Sequence, residues 1–308
     1  MAATYSGQGG YVKATWDIPD TMFDYGQAFS NDFYRRFTLR KAPRPLKMND
    51  SITKDYVFPT FYGDVNCAMA VFLCSYEKAA ALVSKKLSPL VKPVRMARGR
   101  SLIAFSCYEY NQVMGVRPYN EIAMAIPIMV NARFNPPVLP MILSGFSRFG
   151  YYIAGMPVTS YENTLRGNKI WGLPKVTEEV DIERDDGDCL ATAKDEKGEP
   201  YLKLRIPMGG TPTDFDVSSF LYTRLDGRFL RSETNFKASF NVTKNMKALL
   251  KKGIQPEQTY IELGTTSFAP MLKDLEIEPY PFQFRYAEHM SACFDLPQEQ
   301  LPSWAASI

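Results

Sequence analysis

Histidine is almost missing from this 308-residue chain, which holds only His289. Zinc and non-haem iron sites usually take two or more histidines or clustered cysteines, and neither a C-x-x-C nor an H-x-x-x-H pair occurs. No transition-metal centre is expected. A serine or cysteine nucleophile activated by histidine would have to borrow His289, and no G-x-S-x-G elbow is present. The glycine clusters at Gly7 to Gly10 and Gly209-Gly210 fit neither the G-x-G-x-x-G nor the P-loop pattern, so no nucleotide cradle is expected. The five cysteines (Cys67, Cys74, Cys107, Cys189, Cys293) are odd in number and mostly set in apolar runs. That suits buried thiols in a reducing, cytoplasmic compartment better than a disulfide framework. Residues 1 to 30 lack a basic start followed by an apolar stretch, and no run of about 18 apolar residues occurs, so neither leader nor membrane span is expected. Charge of one sign is scarce too: 36 Lys and Arg against 33 Asp and Glu leave +3, too little for a dedicated nucleic-acid binder. With these excluded, a catalytic role falls to lysine and carboxylate chemistry without a cofactor.

Apolar material is plentiful, at 45% hydrophobic and 13% aromatic residues. A chain of this length buries about three quarters of its unfolded surface, enough to fold unaided. Residues 177–183, 188–193 and 201–206 alternate polar with apolar and are separated by Asp-Asp-Gly and Lys-Gly turns, which predicts an antiparallel meander. Runs at 68–74, 101–108, 121–130, 260–263, 275–277 and 282–286 predict further strands. Helical spacing marks 76–91, 161–167 behind a Ser160 N-cap, and 241–252 closed by Gly253. About ten strands, few helices and no repeat predict a mainly β (α+β) fold, a large antiparallel sheet curled into a barrel or sandwich. The expected organisation is an arm over 1–55 and a single domain over 56–308. Between positions 35 and 47 the arm carries Arg35, Arg36, Arg40, Lys41, Arg44 and Lys47 without an acid. It is expected to be solvated or laid across a neighbouring subunit. Residues 131–150, rich in Pro, Phe, Leu and Met, read as a long apolar loop or lid.

Lys175 follows Trp171-Gly172-Leu173-Pro174 and precedes Val176, which sets an ammonium among apolar neighbours at a strand start. An ordinary lysine has a pKa of about 10.4, so roughly one amine in 2,500 is neutral at pH 7. Lowering it to about 7 means disfavouring the charged form by roughly 4.6 kcal/mol, within the reach of desolvation. A neutral amine condenses with a carbonyl to give an iminium, which draws electrons from the adjacent carbon. The competing reading is a lysine that snorkels to water over an apolar edge.

Three segments then bear on the choice: Tyr119-Asn120-Glu121-Ile122-Ala123-Met124-Ala125-Ile126-Pro127, Met156-Pro157-Val158-Thr159-Ser160, and Gly167-Asn168-Lys169-Ile170-Trp171-Gly172-Leu173-Pro174-Lys175. Together with Glu288-His289-Met290-Ser291-Ala292 and Asp295-Leu296-Pro297, and in this order, they resemble the acetoacetate decarboxylase superfamily over roughly residues 60 to 297. The resemblance implies a closed antiparallel barrel with flanking elements, Lys175 as the Schiff-base amine and Glu121 as its acid, base or orienting partner. It also implies assembly from identical subunits.

The chain departs from that family in three places. A second lysine directly after the first is replaced by Val176, an upstream acid by Ser106, and an N-terminal arginine finds only Val65. Depression of the Lys175 pKa is therefore expected to rest on desolvation more than on a like charge. Arg117 is a candidate partner for a substrate carboxylate, His289 a candidate proton relay, and Tyr119, Ser106, Trp171 and Leu173 candidate pocket lining. The expected activity is a cofactor-free lyase decarboxylating a β-keto acid, or a bulky apolar keto substrate, in specialised metabolism. The alternatives are an aldolase-dehydratase or polyketide cyclase on the same scaffold, or a non-catalytic binder of an apolar ligand. The expected partners are a small keto acid or polyketide-like substrate and further copies of the chain, with no nucleic acid and no membrane.

Overall fold

The computed structural model describes residues 29–132, 135–142 and 148–300. Its core is a closed barrel. In chain order, the strands and helices that build it and its surroundings are β1 (Thr60–Ser75), α1 (Tyr76–Lys86), β2 (Arg100–Val113), β3 (Tyr119–Val130), β4 (Phe149–Val158) and α2 (Tyr161–Arg166). There follow β5 (Lys175–Thr177), β6 (Glu179–Asp185), β7 (Asp188–Lys194), β8 (Pro200–Pro207), β9 (Thr211–Leu225) and β10 (Arg228–Lys244). The chain ends in α3 (Met246–Leu250), β11 (Ile261–Leu263), α4 (Ala269–Asp274) and β12 (Gln283–Phe294). Seven strands pair in the cyclic order β3-β4-β9-β10-β12-β1-β2, and β2 returns to β3. All contacts are antiparallel except β4 to β9, and β5 adds a short parallel strand on β4 through Lys175 opposite Met156.

Side-chain alternation decides which residues face the barrel interior. On β1, Ala68, Ala70, Phe72 and Cys74 point outward and are buried, because the antiparallel sheet β6-β7-β8-β11 covers that face with Val180, Ala191, Leu202, Leu204 and Ile206. Their neighbours Val65, Cys67, Val71 and Leu73 point into the barrel. The meander read from sequence is this outer sheet. All five cysteines are free and buried. Among the described residues no helix is long and apolar enough to cross a membrane, and no cluster of three or more His, Cys, Asp or Glu could hold a metal.

Two predicted elements differ. The helix expected over 241–252 is strand through Lys244, and α3 spans only Met246–Leu250. Phe240 and Val242 alternate into the barrel, and the Asn245 side chain starts the helix later by accepting from Ala248 N at 3.5 Å. The strand expected at 275–277 is the turn that follows α4: Leu275 is buried beneath the outer sheet and Glu276 takes a positive φ of 52°. The hairpin of β9 and β10 was not anticipated, because its outer face is solvated and reads as polar.

Residues 29–55 lie on this chain's own barrel. Phe33 and Tyr34 pack on Phe61, Met114 and Cys293, while Arg36 pairs with Asp216 at 2.9 Å and Arg40 with Asp295 at 2.7 Å. The remaining residues of the predicted arm, 1–28, lie outside the described residues. In the predicted lid, Leu139–Ile142 form one helical turn, and Val138 packs with Val71, Leu73, Met96, Leu102 and Ala104. That places the described part of the segment at the barrel end away from Glu121.

Candidate active site

Glu121 enters the barrel by register. Ile122 and Met124 are buried under the outer sheet, so Tyr119, Glu121 and Ala123 of β3 face inward. Opposite them on β2 stand Tyr110, Tyr108 and Ser106, and Tyr108 in turn meets Cys67 of β1. The result is a tyrosine-rich wall: Tyr110 lies 4.9 Å from Tyr62, 5.2 Å from Tyr108 and 4.7 Å from Tyr119, ring centre to ring centre.

The segment Gly167 to Lys175 delivers the amine. Ser160 accepts from Asn163 N at 3.2 Å to cap α2, and the chain then widens into a π-helical turn over Gly167–Trp171. Gly172 ends that turn in the left-handed region, φ 65°, which favours glycine; a side chain there would also stand 2.8 Å from the Arg224 carbonyl. Asn168 acts like a strand neighbour, accepting from Lys175 N at 3.0 Å and donating to Lys175 O at 3.1 Å. Gly167 makes room for the lysine stem, since a Cβ at 167 would come within 2.7 Å of Lys175 Cε. Trp171 stacks on Phe294 at 4.7 Å and donates from Nε1 to Asp295 O at 2.8 Å, which locks the turn to β12.

Held this way, Lys175 Nζ contacts Glu121 Oε2, with only 6% of the lysine and 4% of the glutamate side chain exposed. The Tyr110 hydroxyl faces the other carboxylate oxygen at 3.4 Å, and the Tyr119 ring lies 5.8 Å from the amine. Burial lowers the Lys175 pKa, the Glu121 carboxylate opposes that shift, and the Arg166 charge adds to it. Burial wins.

Arg166 was not singled out from sequence. It is fully buried, donates from Nη2 to Thr60 Oγ1 at 2.8 Å, lies over the rings of Tyr56 (4.5 Å) and Trp171 (5.8 Å), and has no hydrogen-bond partner for Nε or Nη1 among the described residues. Desolvation is the larger cause of the lowered Lys175 pKa, as expected, and the Arg166 charge is a smaller like-charge contribution that the sequence did not point to. Val176 alternates away from the barrel and is 37% exposed, so a charge at that position would point outward here, whereas Arg166 supplies one from the turn before. Beside it Lys54 meets Glu162 at 2.5 Å, and the Tyr56 hydroxyl donates to the same carboxylate at 2.6 Å. In α2, Glu162, Asn163, Thr164 and Arg166 are all buried although the sequence of the helix is polar, so the sequence held no signal for Arg166.

Of the other candidates, Tyr119 and Ser106 face the interior with Glu121, Ser106 one rung further along opposite Ala123. Leu173 is buried in the same cluster, and Trp171 supports the lysine turn from behind. Arg117 stands near Lys54, on whose amine its charge acts. His289 does not line this chamber: its side chain is 80% exposed on a β12 bulge, with Nδ1 2.6 Å from Asp64. For the single chain the expected relay role is corrected by this exposure; the residue sits on the bulge with a φ of 54°.

Comparison with known proteins agrees with this picture. The acetoacetate decarboxylase family model matches residues 43–280. Among solved structures, the acetoacetate decarboxylase of Legionella pneumophila superposes with a TM-score of 0.56 at 12% identity, covering 94% of this chain and 98% of its own. Another acetoacetate decarboxylase structure gives 0.52 at 13% identity, covering 80% and 91%. The enduracididine biosynthesis enzyme MppR in complex with pyruvate gives 0.52 at 11%, covering 77% and 90%. No curated protein matches by sequence. At these identities the structural likeness establishes the fold, and the family model, which spans most of the chain, establishes the kinship: the protein belongs to the acetoacetate decarboxylase family.

Proposed function

We propose that the protein is a cofactor-free lyase in which Lys175 forms a Schiff base with the carbonyl of an oxo acid. One observation carries this reading: an amine almost entirely removed from water, in contact with a single carboxylate, inside a barrel. Lysine is a poor nucleophile while protonated, and the site disfavours that form through burial and the Arg166 charge. The neutral amine adds to the carbonyl carbon, Glu121 carries the proton released by nitrogen to the carbinolamine oxygen, and a second proton taken from solvent lets that oxygen leave as water to give the iminium cation. From a β-keto acid, the bond to the carboxylate then breaks and its electron pair passes to the iminium, giving carbon dioxide and an enamine. Protonation of the enamine carbon and hydrolysis release the ketone and restore the amine.

Aldol addition followed by loss of water would use the same enamine. The fold shared with MppR, solved with pyruvate bound, supports keeping that outcome beside decarboxylation. Incubation with acetone or pyruvate and borohydride, followed by intact-mass measurement and peptide mapping, tests the reading. It expects a single reduced adduct on Lys175, absent from Lys175→Met. No adduct with any carbonyl probe would leave a non-catalytic binder. Analysis of unreduced product from candidate β-keto acids, and from pyruvate with an aldehyde, separates the two lyase chemistries.

A further inference from the structure

We propose that Arg285 anchors an anionic group at the far end of the substrate, so that the substrate is an oxo acid whose anchored carboxylate lies several carbon atoms from the reacting carbonyl. The inference deepens the Schiff-base reading of Lys175 and rests on it. On β12, Phe284 and Tyr286 belong to the core beneath the outer sheet, so Arg285 and Ala287 face the barrel interior. Ala287 lies opposite Cys67, in the rung that continues through Tyr108 to Glu121. Arg285 lies opposite Met69, in the next rung, which continues through Ser106 to Ala123. Same-face residues on a strand are roughly 6.6 Å apart, so Arg285 belongs to a layer one such step beyond the carboxylate of the pair.

In the cyclic strand order, β12 is three steps from β4 one way and four the other, so Arg285 projects from the wall facing β4. Its charge acts on Tyr151 of β4 and on Cys67, which indicates that the guanidinium extends into the interior. Its contacts are Gln283 Oε1, to which Nε donates at 3.1 Å, and the Phe215 ring at 4.7 Å; no carboxylate pairs with it among the described residues. A guanidinium half removed from water without a counter-charge is unfavourable until an anion arrives, and its planar fork matches a carboxylate bidentately. The residues around it are small or partly open to solvent. Ser106, Ala123 and Ala125 are small, and Met69, Ala125 and Tyr151 face inward yet are only half-buried. Acetoacetate, whose carboxylate is one carbon from the carbonyl, is too short to reach both layers; for decarboxylation the substrate becomes a 3-oxo diacid held by its second carboxylate.

Borohydride trapping on the full chain tests this with three keto acids (4-oxopentanoate, 5-oxohexanoate, 6-oxoheptanoate), the neutral ketones of the same chain lengths (2-pentanone, 2-hexanone, 2-heptanone), and acetone as the short control. At least one keto acid is expected to label Lys175 with half-saturation roughly tenfold or more below its neutral counterpart. Arg285→Gln is expected to remove that advantage and leave acetone labelling unchanged, and Arg285→Lys, which keeps the charge without the fork, to retain only part of it. Should Arg285→Gln lose acetone labelling through misfolding, a partial loss in Arg285→Lys carries the inference and an undiminished advantage overturns it. Equal half-saturation of acids and neutral ketones, or an advantage that survives in Arg285→Gln, overturns the anchor while leaving the Schiff base intact. Failure of acetone to label Lys175 at all overturns both.

Discussion

Replacing Gly167 by alanine adds one methyl group behind Lys175 and alters no chemical group. Gly167 has helical φ and ψ, −57° and −47°, so the backbone accepts alanine and even gains about 1 kcal/mol of helix propensity. The added Cβ would lie 2.7 Å from Lys175 Cε, where carbon atoms normally keep about 3.7 Å. The stem must therefore shift by about 1 Å. Overpacking of this kind costs about 1–3 kcal/mol, which the helix gain partly offsets, so the melting temperature should fall by only a few degrees. The chemistry should suffer more, because a displacement of about 1 Å in a reacting group costs on the order of 100-fold in rate. The assay is the rate of enaminone formation with acetylacetone, followed by absorbance and confirmed by intact mass, beside a thermal melt. A Gly167→Ala protein that melts normally and reacts at the parental rate would show that the close approach of Gly167 does not position Lys175.

Three further outcomes follow from the charges and packing around the amine. Glu121 opposes the lowering of the Lys175 pKa, so Glu121→Gln should move the midpoint of amine arylation to lower pH while turnover drops. Arg166 has the opposite sign: Arg166→Met should move the same midpoint to higher pH, and a change in the same direction as Glu121→Gln would refute its role as the like charge. Trp171→Ala removes the ring stacked on Phe294 and the donor to Asp295 O, and should cost about 3–5 kcal/mol in a denaturant titration.

The outer sheet was legible in the sequence because its strands expose one face and bury the other, so polar and apolar residues alternate cleanly from Val180 to Ile206. Glu121 and Lys175 were legible as a motif pair, although no local pattern states that β3 and the turn after α2 converge; that contact joins residues 54 apart. Arg166 and Arg285 were not legible. An arginine inside a polar helix or an alternating strand looks like a solvated residue, and only barrel closure shows which face is enclosed. His289 is the converse case: its segment resembles the family's, yet it sits on a bulge between Ala287 and Met290 with its ring exposed. The β9–β10 hairpin escaped notice because a strand with a wet outer face lacks the apolar run that marks a buried one.

The claim on which the rest depends is that the Lys175 amine loses its proton more readily than an ordinary lysine. Its titration can be followed directly through the pH dependence of arylation at that residue, with site-resolved mass analysis. Because burial outweighs the Glu121 attraction, the midpoint should lie below that of an ordinary lysine. A midpoint at or above that value would mean that Glu121 holds the amine as an ammonium ion, and the nucleophile at the centre of the proposed chemistry would not exist.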